Sequence, residues 1–415
     1  MKVRLMNLAA LAAITLTTQG VAQQNDSLER ALADLNSGLA TPDSNHGVAI
    51  GGDFRSRNRW FDDDSNTNNR DLDTRARLTF TFNVTENTTA FVGFNGRESW
   101  GDGGFGTTPG QFDDPADEVS LSRAWVSVDN LVGDGGTAKI GRDYYTILSG
   151  RIHGTDEWDN RPNTMSGVWY NHDAGGMNVH AAMLNGVENG YGSTAPLPTA
   201  LLDEGDDMIY VFNFNYKFDM IEAVGPIHLS PYWIRNENTG AEHQTWMGAE
   251  ISGEVAGFSI NAEYATMDQG DVSGDAFYIG TGLSLDALGS LPGVENGELS
   301  IAISGSDDSF ATTGAVKYHN AAGFSDRLGA GGLWTADTDT MQLGLGFSPA
   351  EGWDGRIAYV DVESGAAEWN EIDVSIGKEL NGNVQSWFGY AHVDVKGASV
   401  TEATFWAVLE LAFGS

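Results

Sequence analysis

Arginines recur at alternate positions in the first part of the chain, the spacing that places side chains on one face of a β-strand. Arg55, Arg57 and Arg59 form the first set, and Arg75 and Arg77 form the second. Further arginines that we group with them as candidates are Arg97, Arg123, Arg142, Arg151 and Arg161. Arginine stays cationic at physiological pH and binds a carboxylate through two parallel hydrogen bonds. Several such groups in series would give weak, equivalent sites, which suits the conduction of anions because none of them traps the ligand.

Acidic residues in the same stretch allow a second interpretation. The guanidinium groups can pair with carboxylates of the same wall and stiffen it, without meeting a solute. The acids that could serve in this way are Asp53, Asp73, Glu98, Glu118 and Asp129. The two interpretations are compatible with each other, and the sequence leaves both open.

The elements that must carry these side chains are β-strands. From residue 48 onward apolar and polar residues alternate with a period of two, as in 72–84, 258–264 and 372–376. Turn clusters such as Asn381-Gly382-Asn383 separate the runs, as hairpins require. The pattern predicts an all-β chain of about 18 antiparallel strands, within a range of roughly 16 to 20.

Alternation of this kind fits either a closed transmembrane β-barrel or a tandem of soluble sandwiches. An arginine on the lipid-facing side of a barrel costs about 2–4 kcal/mol near the midplane. Three on one strand would then cost about 6–12 kcal/mol, which is comparable with the stability of a whole protein. If the chain is a barrel, the arginine face must therefore point into the lumen.

Three features favour the barrel. The runs continue at hairpin spacing without a dividing linker. Tryptophans stand near run ends, where interfacial girdles would place them; they are Trp60, Trp100, Trp169, Trp233, Trp334 and Trp387. Long connections at 62–71, 101–117, 143–163 and 186–207 contrast with short turns, as in barrels with short periplasmic turns and long external loops. The connections 143–163 and 186–207 are long enough to fold inward as a constriction, although their composition does not decide it.

The first residues predict export. Lys2 and Arg4 precede a short apolar run at 5–16, and small residues follow at 20–22, so residues 1–22 are predicted to be a cleaved signal peptide. Residues 23–46 are predicted to form a periplasmic arm and linker, with a short helix from about Asp26 to Leu39 that packs on the body or, alternatively, self-associates. Residues 47–415 are predicted to form the barrel.

Composition excludes several classes of function. The 415 residues carry a formal net charge of −36, which argues against a nucleic-acid partner because phosphate binding needs a basic surface. The chain has no cysteine, so thiolate metal sites and disulfides are excluded.

Candidate metal and catalytic sites are weak. Asp62, Asp64 and Asn66 place oxygen ligands at alternate positions, but Thr67 stands where a calcium loop needs glycine. The eight histidines lack zinc-site spacing. We therefore predict no cofactor, no metal beyond loose calcium binding in that loop, and no enzymatic activity.

Segment 70–185 resembles the alginate-export family of outer-membrane barrels. The matching motifs are Arg75-Ala-Arg-Leu, Arg97-Glu-Ser-Trp-Gly, Leu121-Ser-Arg-Ala-Trp-Val-Ser-Val, Lys139-Ile-Gly-Arg142, Gly150-Arg151 and Trp158-Asp-Asn-Arg161. The resemblance implies a monomeric barrel of about 18 strands whose arginine-lined constriction passes an acidic polysaccharide or its fragments. The positions that it carries over as lumen candidates are Arg75, Arg77, Arg97, Arg123, Arg142, Arg151 and Arg161. The sequence departs from the family pattern at 143–148 and at Trp169-Tyr170.

These observations predict an outer-membrane channel, in contact with outer-membrane lipid, for small anionic solutes such as uronates or acidic oligosaccharides. The alternatives are a general diffusion porin without anion selectivity and a soluble exported β-protein. The alternating run that ends at Phe413 resembles the C-terminal signal bound by the barrel-assembly machinery, although Gly414 and Ser415 follow it.

Overall fold

A computed structural model describes most of the chain. The described residues are 47–63, 68–101, 118–131, 133–158, 162–188, 208–218, 224–237, 242–255, 257–285, 295–313, 316, 323–325, 329–348, 352–397 and 400–414. The predicted signal peptide and the predicted helical arm lie outside them.

The described chain is almost entirely β-strand. In chain order the strands are Val48–Asp63 (β1), Asn68–Thr85 (β2), Thr88–Gly101 (β3), Glu118–Asp129 (β4), Gly136–Asp143 (β5), Thr164–Asp173 (β6), Met177–Glu188 (β7), Met208–Phe218 (β8), Val224–Glu237 (β9), Gln244–Val255 (β10), Phe258–Gln269 (β11), Val272–Ser284 (β12), Glu295–Ser306 (β13), Thr338–Ser348 (β14), Trp353–Ser364 (β15), Ala367–Asn381 (β16), Val384–Val395 (β17) and Val400–Gly414 (β18). A short 3-10 helix, Gly329–Trp334, precedes β14.

The strands form one closed barrel. Each pairs antiparallel with the next, and β18 pairs with β1 from Gly51↔Gly414 to Asp63↔Glu402, which completes an 18-stranded sheet without edges. The strand number predicted from the alternation is confirmed. The tandem of sandwiches is excluded, since a single closed sheet contains all the described strands.

The two ends of the barrel differ. The turns at 86–87, 174–176 and 382–383 are short and lie at one end of the barrel, together with the start of β1 and the end of β18. The opposite end carries the connections 144–163 and 307–337. Short periplasmic turns and long external loops are typical of outer-membrane barrels, so we call these the inner and outer ends.

The two faces of the wall separate as the alternation predicts. Exposed aliphatic side chains such as Ile279, Ile301 and Ile372 cover the outside. Arg55, Arg57 and Arg59 are buried on the inside. Among the described residues no helix is long and apolar enough to cross a membrane.

The predicted aromatic girdle is correct only in part. Trp60 is 37% exposed on the outside of β1. Trp169 and Trp334 are buried instead, and Trp387 packs on Trp158 inside the barrel. These three tryptophans fill the interior because two connections enter it. We call them loop A (residues 144–163) and loop B (residues 307–337).

Candidate functional site

The register of the first three strands brings arginines side by side. Arg55 on β1 faces Arg75 on β2, and Arg75 in turn faces Arg97 on β3. Like charges directly opposite one another are destabilising, so the arrangement requires counter-charges or acceptors nearby. Asp53 supplies one: it accepts a hydrogen bond from Arg75 at 3.3 Å and pairs with Arg77. The predicted bracing of the wall by its own acids is therefore present.

Arg57 and Asp73 form the most deeply buried ion pair of this wall. Nε and Nη2 of Arg57 donate to the two carboxylate oxygens of Asp73 at 2.9 and 2.8 Å. Both side chains are fully excluded from solvent. Such two-point pairing fixes the orientation of the guanidinium plane.

The tip of loop A lies directly on the arginine row. Arg55 and Arg75 donate to the main-chain oxygen of Glu157 at 3.1 and 2.6 Å. Arg55 and Arg57 also donate to the main-chain oxygen of Trp158. Three of the predicted solute-binding arginines therefore hold a loop.

Trp158 anchors the tip through its indole ring. The guanidinium carbons of Arg57 and Arg55 lie 4.5 and 5.1 Å from the ring centroid, within the range of cation–π contacts. The ring also packs against Trp406 of β18 and Trp387 of β17, with centroids 5.2 and 5.4 Å apart. Loop A thus contacts both sides of the seam where β18 meets β1.

The middle of loop A is fastened to a different part of the wall. Arg151 Nη1 and Ser149 Oγ each donate to Oε2 of Glu263 on β11 at 2.7 Å. Tyr232 on β9 donates to the other carboxylate oxygen at 2.9 Å. Arg151 also lies 3.5 Å from the ring centroid of Tyr278 on β12. Loop A therefore crosses the lumen and divides it.

Loops A and B meet inside the barrel. Thr313 of loop B donates through its main-chain nitrogen and its hydroxyl to the main-chain oxygen of Ile152, at 3.1 and 2.8 Å. The same hydroxyl lies 2.8 Å from Nδ1 of His153. Complete burial lowers the pKa of His153 to about 4, so the ring is neutral at physiological pH. Burial likewise raises the pKa of Tyr145, whose hydroxyl contacts His180 Nε2.

Loop B is held by buried acceptors on the far wall. Main-chain nitrogens of Ser325 and Phe324 donate to Glu371 and Asp373 on β16, at 2.8 and 3.2 Å. Trp246 on β10 donates from its indole nitrogen to the main-chain oxygen of Ala311 at 2.7 Å. The two loops together constrict the lumen.

A second cationic cluster lies on β4 and β5. Arg123 and Lys139 share one acid, Asp143, with Arg123 at 3.7 Å and Lys139 in direct contact. Aromatic faces surround both cations: Arg123 lies 4.4 Å from the ring of Tyr144, and Lys139 lies 4.0 Å from the ring of Trp125. The side chains of Arg123 and Lys139 are 20% and 21% exposed, so both reach the lumen.

The other predicted lumen residues differ in position: two lie on the inner side of the wall, one faces outward, and one lies outside the described residues. Arg59 is buried inside, with its guanidinium 5.6 Å from the ring of Trp406, and Arg97 continues the row on β3. Arg142 is a correction. In β5, Lys139 and Asp143 point inward and contact each other, while the exposed Ile140 points outward. Arg142 is two residues from Ile140 and shares its side, so it does not face the lumen.

Arg161 lies outside the described residues, as do Asp64 and Asn66 of the predicted calcium loop. Asp62 is exposed near the end of β1. Glu98 and Glu118 stand in strands, but their side chains are outside the described part. Asp129, another predicted counter-charge, accepts from Thr137 Oγ1 at 2.7 Å.

Sequence reasoning did not identify the residues that receive the loops. Trp158, Trp387 and Trp406 have no spacing signal that distinguishes them from girdle residues. Glu263, Glu371 and Asp373 stand in runs that alternate like any barrel strand. The three acids could have been identified because they stand at inward-facing positions of their strands, and a buried carboxylate needs partners.

A cavity of about 480 Å³ lies on the inner side of the loop A tip. Its lining mixes cations and acids, among them Arg75, Arg77, Asp53, Glu157 and Glu410. Oppositely charged groups thus line the passage where it opens toward the inner end.

The described strands thus form a closed 18-stranded antiparallel barrel with an apolar outer wall and loops inside it. Solved structures of such barrels are similar to it. OpdK of Pseudomonas aeruginosa, in a crystal structure with vanillate, is 13% identical, with a TM-score of 0.61 over 88% of this chain and 99% of that one. OccAB1 of Acinetobacter baumannii is 10% identical, with a TM-score of 0.62 over 88% of this chain and 97% of that one.

At this identity the likeness shows the fold. The neighbours are outer-membrane porins, which are channels and not enzymes, and their fold agrees with the predicted outer-membrane location. No protein family model matches the chain, and no curated protein matches it in sequence. The resemblance to the alginate-export family is therefore not supported by these comparisons.

Proposed function

We propose that the protein is an outer-membrane channel that passes small anionic solutes along the lumen wall formed by β1–β5. The observation that carries the proposal is the cluster of Arg123 and Lys139 around Asp143. Among the described side chains, these two partly exposed cations and one carboxylate leave a net positive charge beside the passage. A positive lining raises the local concentration of anions and repels cations.

The described contacts divide the arginine row by role. Arg55, Arg57 and Arg75 hold the loop A tip and are at most 4% exposed, so they brace the constriction. In the proposed path, Arg123 and Lys139 are the cations that a solute would meet, since their side chains are partly exposed. Both interpretations of the arginine stripe thus apply, each to different residues.

Carboxylates are the solute class that this lining favours. A guanidinium binds a carboxylate at two points, and the loops restrict the passage to small molecules. Vanillate, present in the OpdK structure, is a carboxylate. Uronates and acidic oligosaccharides, the solutes implied by the alginate-export resemblance, belong to the same class and are the candidates to test first.

A general diffusion porin is the second candidate. Four cations of β1 and β2, Arg55, Arg57, Arg75 and Arg77, stand among the acids Asp53, Asp73, Glu157 and Glu410. This balance of charge would leave the part of the passage beside β1 and β2 without preference for either ion.

Reversal potentials in planar bilayers under a KCl gradient distinguish the two candidates. We expect the wild type to prefer chloride and Arg123→Gln with Lys139→Gln to shift toward cation preference. Lys378→Gln is the matched control: it removes a cation that lies outside the barrel, 4.8 Å from the ring of Trp353, and should leave the potential unchanged. A cation-selective wild type that does not respond to the double substitution would defeat the anion proposal. Liposome swelling with glucuronate against glucose then tests the solute class.

We also propose that the barrel-assembly machinery binds β18. The strand alternates apolar and polar residues, and its exposed Phe405, Leu409 and Phe413 lie on the outer face. Phe413→Ala should reduce the heat-modifiable, membrane-inserted fraction in cells but not refolding into detergent. Equal insertion of wild type and variant would contradict this proposal.

A further inference from the structure

A β-bulge at Ser122 gives Arg123 its direction. Arg123 pairs with Gly93 on β3, but the next residue of β3, Phe94, pairs with Leu121. Ser122 is therefore an extra residue in β4, and its hydroxyl donates to the main-chain oxygen of Gly93 at 3.1 Å. Leu121 is 48% exposed on the outer wall, and regular alternation would place Arg123 on the same side. The bulge reverses the alternation and turns Arg123 into the lumen.

Two aromatic rings fix the guanidinium group of Arg123. Its carbon lies 4.7 Å from the ring centroid of Phe91 on β3 and 4.4 Å from that of Tyr144, the residue that follows β5. We call Phe91 and Tyr144 the ring pair. Because β4 lies between β3 and β5 in the sheet, the two rings reach the guanidinium from opposite sides. Both distances are within the range of cation–π contacts.

Gly93 leaves the space that this arrangement needs. A Cβ atom at position 93 would lie 3.1 Å from Cε1 of Phe91 and 3.4 Å from Nε of Arg123. Contacts this close would displace the ring or the guanidinium, since protein interiors are closely packed. The bulge, the glycine and the ring pair therefore define one orientation of Arg123.

This orientation determines how an anion can approach. The rings cover the faces of the guanidinium, so the open directions lie in its plane, along the N–H bonds. A carboxylate accepts two parallel hydrogen bonds in that plane, whereas chloride is a single point of contact. Asp143 lies 3.7 Å from Nη1 of Arg123, which is longer than a hydrogen bond. The acid thus balances part of the charge without accepting a hydrogen bond from that nitrogen.

We propose that Arg123, held by the ring pair, is the residue that makes the channel prefer carboxylates to chloride. Lys139 adds charge without this preference, since an ammonium group lacks the planar two-point geometry. Phe91 and Tyr144 are positioning residues that act through Arg123. The inference rests on the proposed anion channel and assigns its preference for carboxylates to one side chain.

Reversal potentials in planar bilayers, with potassium formate on one side and potassium chloride on the other, test the proposal. They give the permeability ratio of formate to chloride, two small anions that differ in their hydrogen-bonding geometry. Arg123→Lys keeps the charge and removes the planar group, and we expect it to lower the ratio about fivefold, the equivalent of about one hydrogen bond. Tyr144→Leu should lower the ratio in the same direction. Tyr144→Phe, which keeps the ring, should restore the wild-type ratio.

Tyr264→Leu is the matched control. Tyr264 is 51% exposed on the outer wall, so its loss should leave the ratio unchanged. Heat-modifiable migration verifies that each variant is folded. A wild-type ratio in Arg123→Lys, or equal ratios in Tyr144→Leu and Tyr144→Phe, overturns the inference. Failure of the proposed function is a different result, because it gives a wild type that prefers cations in a KCl gradient.

Discussion

Arg57 and Asp73 face each other across β1 and β2 and are joined by two hydrogen bonds of 2.9 and 2.8 Å, in a site fully excluded from solvent. The third nitrogen of the same guanidinium, Nη1, donates a hydrogen bond to the main-chain oxygen of Trp158. One residue therefore stiffens the wall and fixes the tip of loop A. The constriction therefore depends on a charge that is buried away from the lumen.

Breaking this pair should destabilise the barrel. Arg57→Gln leaves Asp73 buried without its cation, and we expect a loss of about 3–5 kcal/mol in the free energy of unfolding. Adding Asp73→Asn to the same chain should recover much of the loss, because no uncompensated charge then remains. Urea unfolding in detergent measures both. Glu237→Gln, in an exposed pair with Arg235, is the control, with an expected change of about 0–1 kcal/mol. Equal effects of the buried and exposed substitutions would contradict the argument.

Removing the Trp158 ring should open the lumen. Trp158→Ala eliminates the contacts with Arg55, Arg57, Trp387 and Trp406. The ring is half-buried, so we expect a cost of about 2–3 kcal/mol, below the range for a fully buried tryptophan. The freed tip should leave the wall and raise the single-channel conductance. Trp60→Ala truncates an outward-facing tryptophan and should leave conductance unchanged. A conductance of Trp158→Ala at the wild-type level would show that the tip does not limit flow.

The Glu263 carboxylate should control the mobility of the middle of loop A. Glu263→Gln keeps the shape but removes the charge that holds Arg151 and Ser149 at 2.7 Å. We expect larger open-channel current noise and faster trypsin cleavage after Arg151. Glu254→Gln changes an exposed acid on the neighbouring strand and serves as the control. Unchanged noise and unchanged cleavage would mean that Asn261, Glu250 and Tyr278 hold Arg151 without the Glu263 charge.

His153 should make the barrel less stable in mild acid. Its pKa is about 4 in the folded protein and about 6.5 in the unfolded chain, so between these values only the unfolded state binds the proton. This contribution to stability is complete above pH 6.5, falls as the pH decreases toward 4, and levels off below. The loss amounts to roughly 3 kcal/mol.

His153→Gln should remove this dependence. An amide can still bond Thr313 and does not titrate. Urea unfolding at pH 8, 6, 5 and 4, with each protein normalised to its value at pH 8, gives the measurement. Parallel pH profiles for wild type and variant would show that the histidine is not the titrating group.

The barrel itself could be predicted from the sequence because each strand repeats the same local rule. Side chains such as Ile372 and Val374 alternate with Glu371 and Asp373. A barrel wall with lipid on one side and a lumen on the other requires only this two-residue period. The inward direction of Arg55, Arg57 and Arg59 followed from the cost of placing a cation in lipid.

The interior contacts could not be predicted in this way. Loop A binds Glu263 and Trp406, which are distant from it in sequence, and no periodicity describes such contacts. Arg142 was assigned to the lumen because it is an arginine among lumen arginines, but its parity within β5 places it outside. Trp169, Trp334 and Trp387 were assigned to a girdle because they stand near run ends, whereas the structure places all three inside the barrel with the inward loops. For the strand residues Arg142, Trp169 and Trp387, position within the strand decides the direction of the side chain more than residue type does.

The seat of Trp158 consists of Arg55 and Arg57 from the first strand and Trp406 from the last. These groups are far apart along the polypeptide and become neighbours only when the sheet seals. Before β18 pairs with β1, the complete site for the Trp158 indole does not exist. The tip of loop A is therefore fully held only after β18 has paired with β1, and an intermediate in the bilayer that has not yet closed should leak more than the finished protein.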